Sequence, residues 1–305
     1  MKLSLYLELK EIIPKCRSRR QLKRSVGIMY PEIPIETIGS IYSQEYQRKM
    51  KKTHHKHNSP ERRKLYYDMF FEKAENKEKH IIINMARKFD LSPCMLARIL
   101  MDEYLEQNPK PRHFEQTTPK RMIISQLFKN PQKLPHVVLA MAVHEAVIAD
   151  EHYGPFPDNI KRAVGFEHEQ KLCKWCQDND IHFMSEDDMR KEGYDKTPDV
   201  KLLIPIAVDG YAINWIESKA SFGDEESHTT YVRDQLGPYT NRFGPGLVIY
   251  WFGFIDALDC QREHGIAVSD GLPKMVEKIN PELWAKNLDW EFPKAPRWDP
   301  FDFEF

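Results

Sequence analysis

Residues 197–219 read TPDVKLLIPIAVDGYAINWIESK, two apolar runs separated by an Asp-Gly pair. An Asp-Gly pair between apolar runs is a strong signal for a β-hairpin. Asp199 precedes the first run, and Glu217 and Lys219 end the second. Side chains two apart on a strand project from the same face, so Glu217 and Lys219 lie side by side. Charged groups at the end of an apolar strand are costly to bury unpaired, which indicates a functional site there.

Asp199, Glu217 and Lys219 are residue types that suit phosphodiester hydrolysis. Carboxylates are preferred ligands of Mg²⁺, which keeps several waters and shares its coordination with phosphate oxygens. Bound Mg²⁺ polarises the phosphoryl group and acidifies a water molecule. A lysine beside it orients that water or stabilises the developing negative charge. The alternative interpretation is an ion pair between Glu217 and Lys219 on a solvated sheet face, which is what an isolated E-x-K sequence favours.

The hairpin and the segment before it resemble motifs of the PD-(D/E)xK nuclease superfamily. Pro198-Asp199 matches the PD motif, and residues 217–219 match E-x-K. Upstream, residues 165–172 fit the G-x-x-x-E-x-x-L pattern of that superfamily's first helix. Glu169 is the acid in this alignment and Glu167 is the competing candidate, because so short a pattern does not determine which helix face points at the sheet.

Downstream of the hairpin, Gln235 and Tyr239 fit the Q-x-x-x-Y pattern of the RecB-like branch, although an intervening Gly-Pro pair interrupts the expected helix. All the motifs occur in the order of the superfamily within about eighty residues. Longer stretches are similar to the TPD-motif family of these nucleases, which is related to archaeal Holliday-junction resolvases. These stretches are residues 193–199, 215–224 and 241–251, with a looser match at 43–47.

The resemblance implies a restriction-endonuclease-like α/β nuclease core of order α-β-β-β-α-β, preceded by an all-α helix-turn-helix-like region. It implies a Mg²⁺-dependent endonuclease, with Mn²⁺ as an alternative ion, that cleaves DNA, branched DNA included. It also implies codanin as a protein partner and a location in the nucleus and cytoplasm. Asp199 and Glu217 would bind the metal, with Glu169 helping directly or through water. The implied catalytic residues are Glu169, Asp199, Glu217, Lys219, Gln235 and Tyr239.

The simplest hairpin conflicts with this site. A two-residue loop at positions 209 and 210 pairs residues whose numbers sum to 419, which places Asp199 opposite Ala220. Asp199 would then face away from Glu217 and Lys219, since a one-residue slip reverses every side chain. The site therefore predicts a loop of three or five residues, or a β-bulge in one strand.

The 305 residues are enough for two domains, and a composition with 41% hydrophobic and 30% charged residues is typical of a soluble globular protein. Prolines among polar residues at 107–120 predict a boundary. We expect a basic helical region at 1–120, connecting helices at 121–157 and a nuclease domain at 158–275. Residues 276–305 form a Pro- and Trp-rich tail.

The net charge of −1 conceals an asymmetry along the chain. Residues 1–65 contain 16 Lys and Arg but 6 Asp and Glu, whereas the remainder contains 29 and 40. The basic clusters at 17–24 and 48–64 favour contact with a phosphate backbone. The alternatives are a solvated basic helix face and a nuclear import signal.

Residues 82–89 and 94–105 predict a helix-turn-helix unit, with Ser92 as N-cap of its second helix. In such a unit the second helix can enter the major groove of DNA. Four apolar residues bury much of this helix, however, so Arg98 alone is a small surface for reading bases. A plain helical bundle is the alternative interpretation.

Five scattered cysteines predict a reducing compartment rather than a disulfide framework. Cys173-x-x-Cys176 has no second pair, so a zinc site is not expected. Residues 1–14 do not read as a signal peptide, and the apolar stretches at 137–149 and 247–255 are too short to span a membrane.

Two functions of other classes compete with a nuclease. One is a catalytically silent nuclease fold that serves as a codanin-binding module in nuclear regulation. The other is a DNA-binding regulator that acts through residues 1–105. The presence of the acids, the E-x-K lysine and the glutamine in one chain favours catalysis, because a scaffold does not need this charged cluster.

Overall fold

A computed structural model describes residues 1–16, 18–258 and 265–278 of the chain. Most of the tail predicted at 276–305 therefore lies outside the described residues. The first half of the chain is helical, and short 3₁₀ turns follow the first and seventh helices. The helices are α1 (Leu3–Ile12), α2 (Arg19–Met29), α3 (Ile35–His57), α4 (Pro60–Glu75), α5 (Ile81–Phe89), α6 (Pro93–Gln107), α7 (Lys120–Lys129) and α8 (Val137–Ala149).

Helices α5 and α6 are the two helices of the predicted helix-turn-helix unit. Asp90 ends α5 in the left-handed conformation, with φ of 56°. The Ser92 hydroxyl then accepts a hydrogen bond from the Met95 amide, and Pro93 occupies the first position of α6. The Ser92 N-cap is the start signal predicted from the sequence. Recognition of DNA by α6 stays a prediction.

The second half of the chain is an α/β domain. Its sheet has the order β1-β2-β3-β4-β5, with β6 paired to β2, and β3, β4 and β5 run parallel. The predicted order α-β-β-β-α-β is present, with one short helix inserted after the first strand. The elements are α9 (Pro155–Asp178), β1 (Phe183–Ser185), α10 (Glu186–Lys191), β2 (Val200–Val208), β3 (Tyr211–Lys219), α11 (Glu225–Tyr231), α12 (Gly237–Phe243), β4 (Gly246–Tyr250), β5 (Ile266–Ser269) and β6 (Val276–Lys278).

The β2–β3 hairpin keeps its two-residue turn and contains the predicted bulge. Both turn residues have positive φ, 49° at Asp209 and 74° at Gly210, as a type I′ turn requires. Ile206 pairs with Ile213, but Lys201 already pairs with Trp215, so β2 carries three more residues than β3 between these pairs. Because this difference is an odd number, the side chains of β2 before the bulge face the opposite side of the sheet from the one that a regular hairpin would give them. The expectation of a β-bulge is confirmed, and a longer loop does not occur.

A π-helical turn at Val232–Leu236 joins α11 to α12. Pro238 follows it, and a proline ring clashes with the carbonyl four residues earlier in a regular helix. The wider π turn relieves that clash, so the chain continues as a helix through the Gly-Pro pair. Gln235 and Tyr239 therefore remain on one continuous helical segment.

The helical half and the sheet share a hydrophobic core. Buried residues of α1, α2 and α3, among them Leu9, Leu22 and Ile38, belong to one cluster with Trp215 and Val248 of the sheet. Helices α4 to α8, together with Met50 of α3, form a second cluster. A third cluster lies between α9 and the sheet. The first three helices thus pack as one layer of the α/β core, while the proposed domain boundaries stay predictions.

No helix in the described part of the chain combines the length and apolarity that crossing a membrane requires.

Candidate active site

The bulge brings Asp199 and Glu217 face to face. In the register Lys201–Trp215, which continues to Val200–Ile216, Asp199 comes opposite Glu217. The Asp199 amide donates a hydrogen bond to Glu217 Oε2 over 3.3 Å. Asp199 Oδ2 in turn accepts one from the Ser218 amide over 2.7 Å. Each carboxylate is thus anchored to the backbone of the other strand.

Lys219 links the Glu217 carboxylate to Gln235 on the π turn before α12. Its Nζ donates to Glu217 Oε1 over 2.6 Å and to Gln235 Oε1 over 2.8 Å. The same Nζ lies 4.8 Å from the centre of the Tyr231 ring, in a cation–π contact. Three partners therefore hold one lysine, whose side chain is 15% exposed.

Tyr239, the last residue of the Q-x-x-x-Y pattern, fixes the loop that carries Asp199. Its hydroxyl donates to the carbonyl oxygen of Thr197 over 3.1 Å. The Thr197 hydroxyl donates to Glu186 Oε1 on α10 over 3.2 Å. The loop before β2 is thus held from two helices, which leaves Asp199 little freedom to turn away.

The two candidate helix acids have different surroundings on α9. Glu167 is exposed and pairs with Lys171 over 2.7 Å along the same helix. Glu169 is half-buried, and burial, followed by the negative charge of Glu186, raises the pKa of its carboxyl while Lys219 opposes that rise. Glu169 is therefore the acid within electrostatic range of the site. Among the described residues it makes no hydrogen bond or ion pair with the other candidate residues.

The site holds more negative than positive charge. Burial, then the charge of Glu217, raises the pKa of Asp199 well above its usual value. Burial also raises the pKa of Glu217, although Lys219 opposes it. Burial lowers the pKa of Lys219, but the adjacent Glu217 carboxylate outweighs it, so the net change is upward. Two acids thus lie near one ammonium group, which forms its ion pair with Glu217.

This donor set fits a hard divalent cation. Asp199 and Glu217 present carboxylate oxygens across one strand pair, and a cation would relieve the repulsion that raises the pKa of Asp199. In the residues that the structure describes, no group of three or more His, Cys, Asp or Glu side chains is arranged to hold a metal ion. The remaining ligands would be water and phosphate oxygens, the usual arrangement for Mg²⁺.

Several residues near the site were not singled out by the sequence motifs. Ser218 supplies the amide that holds Asp199, and its hydroxyl accepts a bond from Trp251 Nε1 over 2.8 Å. Tyr231 supplies the ring below Lys219. Its spacing could have revealed it, because Tyr231, Gln235 and Tyr239 are four residues apart. His228 is buried, with Nδ1 2.9 Å from the Tyr250 hydroxyl oxygen.

The chain is an α/β protein in which Asp199, just before β2, lies opposite Glu217 of the neighbouring strand β3. A family model described as "Protein of unknown function TPD sequence-motif" matches residues 135–272, which include the Thr-Pro-Asp sequence ending at Asp199. No solved structure matches the chain.

Curated relatives cover nearly the whole chain. CDAN1-interacting nuclease 1 of Xenopus tropicalis is 44% identical over 272 residues, which are 89% of this chain and 88% of the relative. The Danio rerio protein of the same name is 41% identical over 90% of both chains. The Homo sapiens protein is 40% identical over 89% of this chain and 95% of its own length. The chain belongs to the CDAN1-interacting nuclease 1 family.

Proposed function

We propose that this protein is a metal-dependent nuclease that hydrolyses phosphodiester bonds of DNA, in partnership with codanin, in the nucleus and cytoplasm. The family membership supports a nuclease, since the relatives are named as CDAN1-interacting nucleases. The observation that carries the proposal is the connected set Asp199–Glu217–Lys219–Gln235, in which each member contacts the next. Burying connected charged groups costs free energy, and groups with shifted pKa values cluster at functional sites.

Each residue has a role that its contacts support. Asp199 and Glu217 hold Mg²⁺, or Mn²⁺ in its place, with Glu169 acting through water, since it stands apart from the pair. When bound, the ion polarises the phosphoryl oxygen and acidifies a water molecule. Lys219 orients the attacking water or stabilises the charge that develops on the phosphate. Its contacts to Glu217 and Gln235 keep the ammonium at that position.

Tyr239 and Gln235 act as positioning residues in this proposal. Gln235 holds the ammonium group of Lys219 together with Glu217. Tyr239 holds the Thr197 carbonyl and so the loop that carries Asp199. Neither needs to touch the metal for the reaction to depend on it.

The test is cleavage of duplex, flap, single-stranded and four-way-junction DNA with Mg²⁺ and with Mn²⁺. Asp199→Asn and Lys219→Ala should abolish cleavage and leave folding intact. Asp209→Asn is the matched control, because it makes the same change at the opposite end of the hairpin, in a turn conformation that asparagine tolerates. Cleavage by either site variant at the wild-type rate would remove these roles.

A second candidate function is a codanin-binding module without catalysis. Lys219 already neutralises one oxygen of Glu217, and the described residues hold no third carboxylate in contact with the pair. Titration calorimetry with Mg²⁺ and Mn²⁺ separates the two functions. Binding that Asp199→Asn removes supports the nuclease, whereas no binding together with intact codanin association supports the module.

A further inference from the structure

A cationic cavity of about 480 Å³ lies between α6, α7 and the first turns of α9. Arg98 of α6, Lys129 of α7 and Arg162 of α9 line it, together with a single acidic residue, Asp158. Side chains from three separate helices thus bring positive charge to one concave surface. None of these residues belongs to the candidate active site.

The positive charge in the cavity is available to a ligand. Within the described part of the chain, Arg98, Lys129 and Arg162 form no ion pair, and all three residues are exposed. Arg98 lies over the Phe128 ring, 4.9 Å from its centre, which fixes the guanidinium without neutralising it. Unpaired arginines in a concave polar surface bind phosphate groups well, because the guanidinium donates two parallel hydrogen bonds.

The N-terminus of α9 contributes less than the side chains do. Pro155 and Pro157 have no amide hydrogens, so this end offers few backbone donors to an anion. Asp158 already places a negative charge in the first turn. The two arginines and the lysine are therefore the groups that define the ligand.

Helix α9 connects this cavity to the candidate active site. Arg162 and Glu169 are seven residues apart, close to two full helical turns, so they lie on the same face about 10 Å apart along the axis. Asp158 of the cavity lies on that face one turn earlier. Leu172 and Cys176 continue the same face into the core beneath the sheet. A strand passing Glu169 along α9 therefore meets the cavity.

We propose that the cavity lined by Arg98, Lys129 and Arg162 binds a backbone phosphate of the nucleic acid on the flank of the bond being cut. This inference rests on the proposed nuclease function and adds a second point of contact to it. The contact supplies affinity and register without reading bases, because phosphate contacts position a protein on nucleic acid. In this role Arg98, on the second helix of the helix-turn-helix unit, contacts a phosphate group and does not read bases.

The experiment measures DNA binding and cleavage separately. A triple variant, Arg98→Gln, Lys129→Gln and Arg162→Gln, removes the charge of the cavity and keeps much of the side-chain length. The matched control is Lys79→Gln, Lys88→Gln and Lys274→Gln, which removes three exposed charges elsewhere. Binding to a labelled duplex long enough to pass along α9 is followed by fluorescence anisotropy in EDTA at several salt concentrations.

The triple variant should bind this duplex more weakly, and the slope of log affinity against log salt should fall by about 0.9 for one lost phosphate contact. The control variant should retain the wild-type slope on the long duplex.

Wild-type affinity and slope for the triple variant would overturn the inference, even if the wild-type protein cleaves DNA. Absence of cleavage by the wild-type protein would instead refute the proposed nuclease, and it is read from a different assay. Loss of binding to an acidic peptide with unchanged DNA binding would assign the cavity to a protein partner and also overturn the inference.

Discussion

Burial makes the neighbouring carboxyl groups of Asp199 and Glu217 costly to ionise in the folded protein. Both carboxyls are buried enough to have raised pKa values, and the charge of Glu217 opposes ionisation of Asp199. Lys219 compensates for one of them. The folded protein thus accepts an electrostatic cost at the rim of its sheet, and a divalent cation is the ligand that would relieve it.

The stability of the folded protein should depend on pH through Asp199. Because the folded state raises the pKa of Asp199 above its usual 3.8, the folded protein binds that proton more tightly than the unfolded chain does. The free energy of unfolding therefore falls as the pH rises from that value through the raised pKa, with a slope of at most about 1.4 kcal/mol for each pH unit. In EDTA, Asp199→Asn should raise the melting temperature at neutral pH and lose this gain in acid below the unfolded pKa.

Thermal unfolding across the pH range, in EDTA and in Mg²⁺, checks this prediction. Asp209→Asn should follow the wild-type curve. Mg²⁺ should stabilise the wild-type protein and not Asp199→Asn. A melting temperature of Asp199→Asn below that of the wild-type protein at neutral pH contradicts the electrostatic account.

The hydrogen bond from Lys219 to Gln235 should contribute to the rate of cleavage. Replacing Gln235 with leucine removes the acceptor from Lys219 Nζ and keeps a similar volume. Hydrogen bonds to charged groups contribute about 1.5–3 kcal/mol, which corresponds to a roughly 10–100-fold fall in kcat. Metal affinity and KM should change little, because Asp199 and Glu217 keep their contacts. Asp234→Asn, an exposed neighbour, is the control; an equal loss in both variants would indicate helix damage instead.

At the scale of elements, two irregularities align the site. The bulge in β2 shifts the hairpin register by three residues and brings Asp199 opposite Glu217. The π turn before α12 lets the helix pass a proline while Gln235 and Tyr239 reach Lys219 and Thr197. A regular hairpin and a regular α-helix would each separate groups that here lie in contact.

The third prediction follows from the π turn. A methyl group on Gly237 would come within 2.8 Å of the Val232 carbonyl oxygen, a backbone atom of the widened turn. Gly237→Ala should therefore destabilise the protein by about 1–3 kcal/mol, as overpacked sites do. Urea unfolding measures this loss. Gly271→Ala, where a methyl group meets no atom within 4 Å, should leave the midpoint close to wild type.

At the scale of the whole molecule, one buried acid connects the helical half to the α/β domain. Asp224 is 1% exposed and caps α11 through the Ser227 amide. It also accepts hydrogen bonds from Arg48 of α3, at 2.6 and 2.7 Å, and from the Tyr6 hydroxyl of α1. Residues 176 positions apart thus form one ion pair.

This network changes the interpretation of the basic cluster at 48–64. Arg48 pairs with Glu45 and Asp224, and Arg63 pairs with Asp102 over 2.7 Å. These two cations serve the fold and are not free to bind a phosphate backbone. Contact with nucleic acid through this cluster would depend on its remaining basic residues.

The fourth prediction tests that ion pair. Arg48→Met leaves the Asp224 carboxylate buried without its cation, which typically costs about 3–5 kcal/mol. Lys64→Met, at a position without an ion pair in the described residues, should change stability by less than about 0.5 kcal/mol. Urea unfolding of Arg48→Met, Asp224→Asn and the double variant gives the coupling energy. A coupling near zero would show that the pair does not join the two halves.

The sequence predicted much of the site because its parts are local patterns. Asp-Gly between apolar runs predicts the hairpin, Ser92-Pro93 predicts the start of α6, and a four-residue spacing places Gln235 and Tyr239 on one helical face. The bulge was inferred by combining a motif with strand geometry. The restriction-endonuclease-like fold, the metal and the catalytic roles stay predictions.

The order of most helices and strands and the family of the protein could be predicted from the sequence, since both depend on short-range periodicity and on ordered motifs. Strand β6 was not predicted, because it lies where the sequence indicated a tail and pairs with the distant β2. Which charged side chains meet depends on the folded structure. The structure places Glu169 nearer than Glu167 to the charges of the candidate site and pairs Arg48 with Asp224. It also brings Arg98, Lys129 and Arg162 together around one cavity. Such contacts join residues far apart in the chain, and their distances depend on how whole helices pack against the sheet.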